Sequence, residues 1–540
     1  MIESRRLALA NIWVAISAFG VAAAMALMQA LSRADLDLPW RSERMYYLSV
    51  TAHGVLMAIV FTTFFIMGLG YVVTEKSLRR PITMKKIAWG SFWVAMIGTL
   101  MVAWAILWGK ASVLYTFYPP LKAHPLFYIG AALLVIGSWG WCWVIVDTYL
   151  RWKRENAGAR TPLPVHGYLA TIIVWILATI GVAAEVLLML IPWSMGITEK
   201  VDPIMARILF WWFGHPLVYF WLLPAYVVWY TMAPKVAGGK LFSDPLARLV
   251  FVLFILLSTP VGFHHQFMDP GVEAGWKLFH TFNTMWILFP SFITAFTVIA
   301  SFEVAGRLKG ATGWFDWLEE LPWGNPTFSS VALAMIMFAV GGFGGAINAS
   351  FGMNAMIHNT AWVQGHFHMT VGTAVALTFM GISYYLLPKL LGRELELSLL
   401  ARIQPYLWFA GMLLFAVANH LTGLAGMPRR IYQFEYAGSQ IADQWISGTG
   451  ISALGGVLLF VSAACFVAVM FATGLAGKKQ EQPAIEFAEP LEEPGDKVRI
   501  LDRMGLWVAL AAVLIVAAYA VPIIQHLSAE TFGSRGFSPF

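Results

Sequence analysis

Charge is what this chain has least of. Only 12% of its 540 residues are Asp, Glu, Lys or Arg, against 59% that are hydrophobic, where soluble domains carry about 25% charged residues. That deficit runs along the whole chain and excludes a string of water-soluble domains. Cysteine is almost missing as well: Cys142 and Cys465 are the only two, both inside apolar runs. No disulfide framework and no multi-cysteine metal cluster can be assembled from them, so any thiolate-rich redox centre must lie on another chain. No repeat of fixed period is present, and low complexity is confined to residues 475–500 (KKQEQPAIEFAEPLEEPGDK). The formal charge of +6 is no nucleic-acid signal, because the cations flank apolar segments.

What the sequence has instead is long apolar runs. A spanning helix needs about 20 such residues, and thirteen stretches qualify, beginning near residues 7, 45, 86, 124, 166, 205, 245, 276, 327, 360, 403, 450 and 503. The first is too long for a cleaved signal peptide. The expected fold is all-α and polytopic, with about 13 transmembrane helices. A twelve-helix core occupies residues 1–474, a solvated cytoplasmic linker residues 475–502, and an additional C-terminal helix with an outer tail residues 503–540. Loops on the side of the N-terminus hold 24 of the 35 Lys and Arg residues. The positive-inside rule then places the N-terminus in the cytoplasm and the C-terminus outside.

Six of the twelve histidines fall within these spans, where ionisable groups are costly and need named partners. They are His53 (TAHGVLMAIVF), His215 (WWFGHPLVYF), His264 and His265 (VGFHHQF), and His366 and His368 (VQGHFHMT). Counted from the outer helix ends, all six share one layer roughly 6 to 15 Å deep. His366 and His368 stand about 200° apart around a helix, so they serve two centres and not one. His264 and His265, at about 100°, can both turn to one ion near a helix end, with His215 as the third ligand. Three neutral imidazoles suit copper or zinc, whereas a haem iron takes one or two axial histidines. The economical partition is a bis-histidine haem (His53 with one of the pair), a single-histidine haem (the other) and a three-histidine metal. Buried histidines that merely bond helices together would not cluster in one layer. His124, His166, His280, His420 and His526 lack such a cluster and read as structural.

Tyr219 follows His215 by one helical turn and lies on the same face. Tyr226 and Tyr230 continue within about 20° of that stripe, so a ladder of hydroxyls runs from the metal toward the cytoplasm. Ser291 and Thr294, on the eighth helix, fall at depths between Tyr219 and Tyr226 and could bridge the gaps with water. This stripe is the expected proton path.

Residues 45 to 435, with GHPLVYFWLLPAY, LLSTPVGFHHQFMDPG and HNTAWVQGHFH, resemble subunit I of the haem-copper oxygen reductases, within it the B-type, or ba-type, cytochrome c oxidases. The resemblance implies that His53 and His368 ligate a low-spin haem and His366 a high-spin haem. It further implies that His215, His264 and His265 bind the copper called CuB, and that Tyr219 is covalently joined to His215. Arg429 and Arg430 (GMPRRIY) would pair with haem propionates through fork-like hydrogen bonds, with His358 and Asn359 near the propionates of the high-spin haem. Two departures stand out. Asn354 occupies a position where an acid is expected, and Leu217 replaces the glutamate of the A-type GHPEVY motif. The latter removes the carboxylate route of that branch and favours a single proton path.

The same resemblance implies a reaction: reduction of dioxygen to water at the high-spin haem and CuB, with protons taken up from the cytoplasm and proton translocation coupled to it. By analogy the low-spin haem is b-type and the high-spin one a-type. Expected partners are a subunit II carrying a CuA site, cytochrome c as donor, membrane lipid, and a small single-helix subunit as a further candidate. The expected location is a bacterial or archaeal cytoplasmic membrane. Two rivals fare worse. A nitric oxide reductase would use glutamate ligands and lack Tyr219, and a di-haem electron carrier has no use for His215, His264 and His265.

Overall fold

The computed structural model describes residues 4–34, 36, 38, 39, 41–433, 435–492 and 500–540. Among them the chain is a bundle of helices: α1 Arg5–Ser32, α2 Glu43–Leu78, α3 Lys85–Leu107, α4 Pro125–Glu155, α5 Leu163–Ser194, α6 Pro203–Ala237, α7 Asp244–Leu257, α8 Ala274–Leu308, α9 Pro326–Ala349, α10 Ala361–Leu391, α11 Ser398–Leu424, α12 Gln440–Ala476 and α13 Met504–Ser528. Twelve are long and apolar enough to cross a membrane. The thirteenth expected segment crosses in a different form: helix α7 has 14 residues, about 21 Å at 1.5 Å per residue, short of a bilayer core of about 30 Å, and the chain completes that passage through the turn beyond it, where Asp269 pairs with Arg207 at the start of α6.

Several helices start by one device. A small polar residue accepts the N–H groups of the first turn, and proline often follows at the first helical position. Asp202 does this for Ile204 and Met205, Ser243 for Leu246, and Asn325 for Thr327 and Phe328. Thr360 caps α10 through the Trp362 N–H. The end of α7 is written in Ser258-Thr259-Pro260, since proline supplies no N–H and disfavours helix in the residue before it. The chain then passes through a 3-10 turn at Gly262–Gln266.

Burial separates the helices. The apolar windows of α2, α6 and α10 are 83%, 83% and 78% buried, against 28–50% for the other nine spans. These three form the centre of the bundle and carry His53, His215, His366 and His368; the rest leave apolar side chains facing outward, as lipid-facing helices do. Directly after His53 and His368, α2 and α10 widen into π-helical turns, Val55–Phe61 and Thr370–Val375, which shift the register of the following residues and are frequent at functional sites.

Both ends of the bundle are strapped. Residues 534–537 pair with Val201 and Leu121, and the Trp193 indole N–H donates to the Arg535 carbonyl at 3.1 Å. At the other end the described part of residues 475–502 is largely exposed and is pinned at several points. Lys479 bridges to Arg393, Pro490 to Leu241, and Glu486 pairs with Lys235 at 2.9 Å. Residues 493–499 of that expected linker lie outside the described residues.

Candidate metal and haem centre

The three most buried helices and the turn after α7 deliver the six histidines to one cavity, which Tyr219, Ser291, Thr284, Asn354, His358, Asn359, Arg429 and Arg430 also line. Within it one ring nitrogen from each of His215, His264 and His265 lies within 4.8 Å of the other two. His264 and His265 are not on a helix, as the sequence suggested, but in the 3-10 turn beyond it. Their rings approach at 4.1 Å between centroids with a 40° tilt, so adjacent residues reach one point. The Thr284 hydroxyl donates to the His280 carbonyl at 2.6 Å and lies 2.9 Å from Nδ1 of His264. With its one proton committed, that hydroxyl accepts from Nδ1–H, and the Nε2 lone pair is the one left to a metal. His265 is stacked on Trp211 at 3.7 Å, 10° from parallel.

The other three histidines share a different arrangement. Nδ1 of His53 faces the Ala22 carbonyl at 3.0 Å, Nδ1 of His366 that of Gly341 at 3.0 Å, and Nδ1 of His368 that of Gln364 at 2.8 Å. Each carbonyl fixes the proton on Nδ1 and turns Nε2 into the cavity. His53 and His368 are parallel to within 3° with centroids 6.3 Å apart. Two metal–imidazole bonds of about 2 Å, each ending at a nitrogen about 1.1 Å from its ring centre, fill that span. His366 points away from this pair onto α9, where Gly344 leaves it room: a Cβ there would lie 2.7 Å from the His366 Nδ1. The residues present therefore fit two haem irons and one three-imidazole metal.

Tyr219 lies 5.0 Å from His215 between ring centroids, and Nε2 of His215 is buried without a hydrogen-bond partner. Below it the tyrosine stripe holds in part. Tyr230 and Thr294 are joined hydroxyl to hydroxyl at 2.7 Å, and Tyr226 faces both Ser291 and Thr294. Tyr226 is buried, and Phe254 packs against the rings of both Tyr219 and Tyr226, at 5.0 and 5.5 Å. Ser291 lines the cavity and its hydroxyl donates to the Ile287 carbonyl at 3.3 Å.

At the far end of the cavity, the Arg429 N–H donates to the Asn359 carbonyl at 2.9 Å, which ties the 358–361 segment to the 427–430 segment. Arg430 adopts a left-handed conformation (φ 66°) and lies over Tyr115 at 5.3 Å. Among the described residues no carboxylate pairs with either arginine. Burial, and then the neighbouring Arg430 charge, pushes Arg429 down to about 10. Two adjacent, partly buried cations without an acid are a place for an anionic group of a ligand. Burial, with Arg429, Arg207 and Lys277 adding to it, pushes His358 down to about 4. Its Nδ1 is 3.0 Å from Oδ1 of Asn354, whose amide donates to the Asn348 carbonyl at 2.7 Å.

Sequence reasoning missed Thr284, Trp211 and Arg33. Arg33 is buried and lines the cavity, donating to Oε1 of Gln364 at 3.2 Å. His280, taken as isolated, in fact lies against the metal-ligand turn. His166 and His526 meet Asp502 and Asp202 at 3.3 and 2.8 Å, and fit the structural role expected of them.

A polytopic helical bundle with one bis-histidine gap, one single-histidine face and one three-histidine cluster defines a membrane metalloprotein that joins haem iron to a second metal. The family model of cytochrome c and quinol oxidase polypeptide I matches residues 6–458, and the chain belongs to that family, subunit I of the haem-copper terminal oxidases. It is 45% identical over 490 residues to cytochrome c oxidase subunit 1 of Thermus thermophilus, covering 89% of this chain and 86% of the relative. An alternative cytochrome c oxidase subunit 1 of Bradyrhizobium diazoefficiens is 24% identical over 418 residues, 72% of this chain and 68% of the relative. A heme-copper terminal oxidase dimer determined by cryo-EM superposes with a TM-score of 0.95 at 38% identity, covering 100% of this chain and 96% of that one.

Proposed function

We propose that this chain is the catalytic subunit of a terminal respiratory oxidase that reduces dioxygen to water with electrons from cytochrome c. The observation that carries this reading is the convergence of His215, His264 and His265 within 4.8 Å in the same cavity as His366, with Tyr219 beside them. When bound, the high-spin haem and copper supply the site and electrons for oxygen reduction, and the low-spin haem passes electrons to them.

The chain's own residues do the rest. His53 and His368 would hold the low-spin haem, which would serve electron transfer, and His366 would hold the high-spin haem on the side of the histidine trio. The short segment His366-Phe367-His368 joins the two sites. Tyr219, beside His215, is placed to give a proton and an electron to the reaction, and the buried, unbonded Nε2 of His215 supports a covalent link between the two rings. Tyr230 and Thr294, hydroxyl to hydroxyl, hold a proton on the way up, and Tyr226 with Ser291 continues the path through water. Arg429, Arg430, His358 and Asn359 receive the propionates, with Arg429 a partly buried cation awaiting an anion.

The finer readings go with this one: a b-type low-spin and an a-type high-spin haem, a subunit II with a CuA site, the N-terminus in the cytoplasm of a bacterial or archaeal cell and the C-terminus outside, an additional C-terminal helix with an outer tail over 503–540, and protons drawn from the cytoplasm with coupled translocation. The test is to purify the protein from membranes, count copper and haem iron per chain, and record the reduced-plus-carbon-monoxide difference spectrum. Two haems, only one of which binds carbon monoxide, and at least one copper are expected. Two haems without copper, or non-haem iron in its place, would refute the assignment.

A further inference from the structure

The turn that carries His264 and His265 is irregular backbone at membrane depth, where each N–H it exposes must find a partner within the protein. Two of these partners come from outside α7. The Gly262 N–H donates to the Tyr519 hydroxyl at 2.8 Å, and the Phe263 N–H donates to Nδ1 of His280 at 3.2 Å. Because Nδ1 accepts, the imidazole proton sits on Nε2, which faces the Ala518 carbonyl at 3.2 Å. Ala518 and Tyr519 are consecutive residues of α13, so this helix holds one N–H of the turn directly and the next through His280.

The packing follows the same path. Phe263 lies on the His280 ring at 4.2 Å, and the Tyr519 ring meets both, at 5.3 and 5.2 Å. A Cβ at Gly262 would meet both the Tyr519 hydroxyl and the Trp211 carbonyl, so the turn is pressed between α6 and α13 with no slack. His264 is also reached from this side, through Thr284, whose hydroxyl donates to the His280 carbonyl.

We propose that α13 is part of the metal-site scaffold: Tyr519 and His280 are positioning residues that fix the backbone of Gly262 and Phe263, so that His264 and His265 project toward His215. A helix that reads as an appendage to a twelve-helix core thereby governs how firmly the copper ligands are held. The proposal rests on the oxidase reading above.

The experiment uses the intact oxidase complex purified from membranes. Tyr519→Phe keeps the ring and removes only the acceptor for Gly262. Gln525→Leu removes a different hydrogen bond to the same helix, from the Trp276 indole at 3.1 Å, and serves as the control. Copper and haem per chain, the rate of copper loss to a chelator, the infrared band of carbon monoxide at the copper, and kcat and KM for cytochrome c are measured. Loss of such supporting hydrogen bonds weakens metal binding about 10- to 100-fold. Tyr519→Phe is therefore expected to release copper about 10- to 100-fold faster and to move the carbon monoxide band, with haem content and KM unchanged, while Gln525→Leu behaves as wild type. Wild-type copper retention and an unmoved band in Tyr519→Phe would overturn the proposal. Joint loss of haem and copper would overturn it too, since α13 would then be a general clamp. A wild-type complex without copper would instead overturn the oxidase reading itself, and the proposal with it.

Discussion

Thr284→Val is the substitution whose effect follows most directly from the geometry. The hydroxyl stands 2.9 Å from Nδ1 of His264 and 2.6 Å from the His280 carbonyl, so valine, of nearly the same shape, strips a buried imidazole N–H of its acceptor, while the carbonyl keeps its helical N–H donor. Orphaning a buried polar group costs about 1–3 kcal/mol. Part of that falls on the metal-bound geometry, because the ring is then free to turn Nε2 away from the trio. A loss of about 10- to 100-fold in copper affinity is expected, equivalent to about 1.4 to 2.8 kcal/mol. Competition with a calibrated chelator, followed by metal analysis and by turnover with cytochrome c, measures it. Thr284→Ser retains the hydroxyl and should bind copper within a few-fold of wild type. Wild-type affinity in the valine variant, or a serine variant as weak as the valine one, would refute the argument.

Other outcomes follow from the same contacts. His368→Ala opens one side of the His53 pair, and the purified protein should lose its low-spin haem spectrum while the carbon monoxide difference spectrum of the other haem persists. Tyr230→Phe breaks the 2.7 Å contact with Thr294; turnover should fall tenfold or so, for one hydrogen bond of about 1 kcal/mol or more, while stopped-flow reduction of the low-spin haem keeps its rate. Arg429→Gln removes a partly buried cation, and redox titration should show the nearby haem potential moving down. His358 titrates at about 4 because of burial and then Arg429, Arg207 and Lys277, whereas in an unfolded chain it takes up its proton near 6.5. The unfolded state thus binds more protons between those values, and folded stability should fall as pH drops from about 6.5 to about 4 and be unaffected above that window. Thermal melts in detergent across pH 4 to 7 would show a weaker acid loss in Asn354→Asp, which sets a carboxylate on the His358 Nδ1.

How much of this was legible in the sequence depends on whether the information lay within one helix or between helices. Spacing along a single helix sent His366 and His368 to opposite sides, and the structure has one turned toward α9 and the other toward His53. It placed Tyr219 beside His215 in the same way. Spacing could not say how α8 is rotated against α6, so it did not show that Thr294 also reaches Tyr230. Nor could it show that Asn354, Asn348 and His358 form a chain of hydrogen bonds. Charge and proline marked residues 475–502 as a solvated linker, but could not show where it is pinned, because Arg393, Leu241 and Lys235 lie far away along the sequence.

The short α7 shows why the least regular segment carries two of the ligands. On an ideal helix adjacent side chains diverge by about 100°, which makes a histidine pair an awkward donor to one ion; a tighter turn brings their rings to 4.1 Å. Ser258-Thr259-Pro260 ends the helix early enough to create that turn. A broken helix inside a membrane is stable only where its freed N–H groups are taken up by protein. Tyr519 and His280 take up two of them, so the geometry that gathers the metal ligands and the helix that closes the chain are parts of one solution to the same constraint.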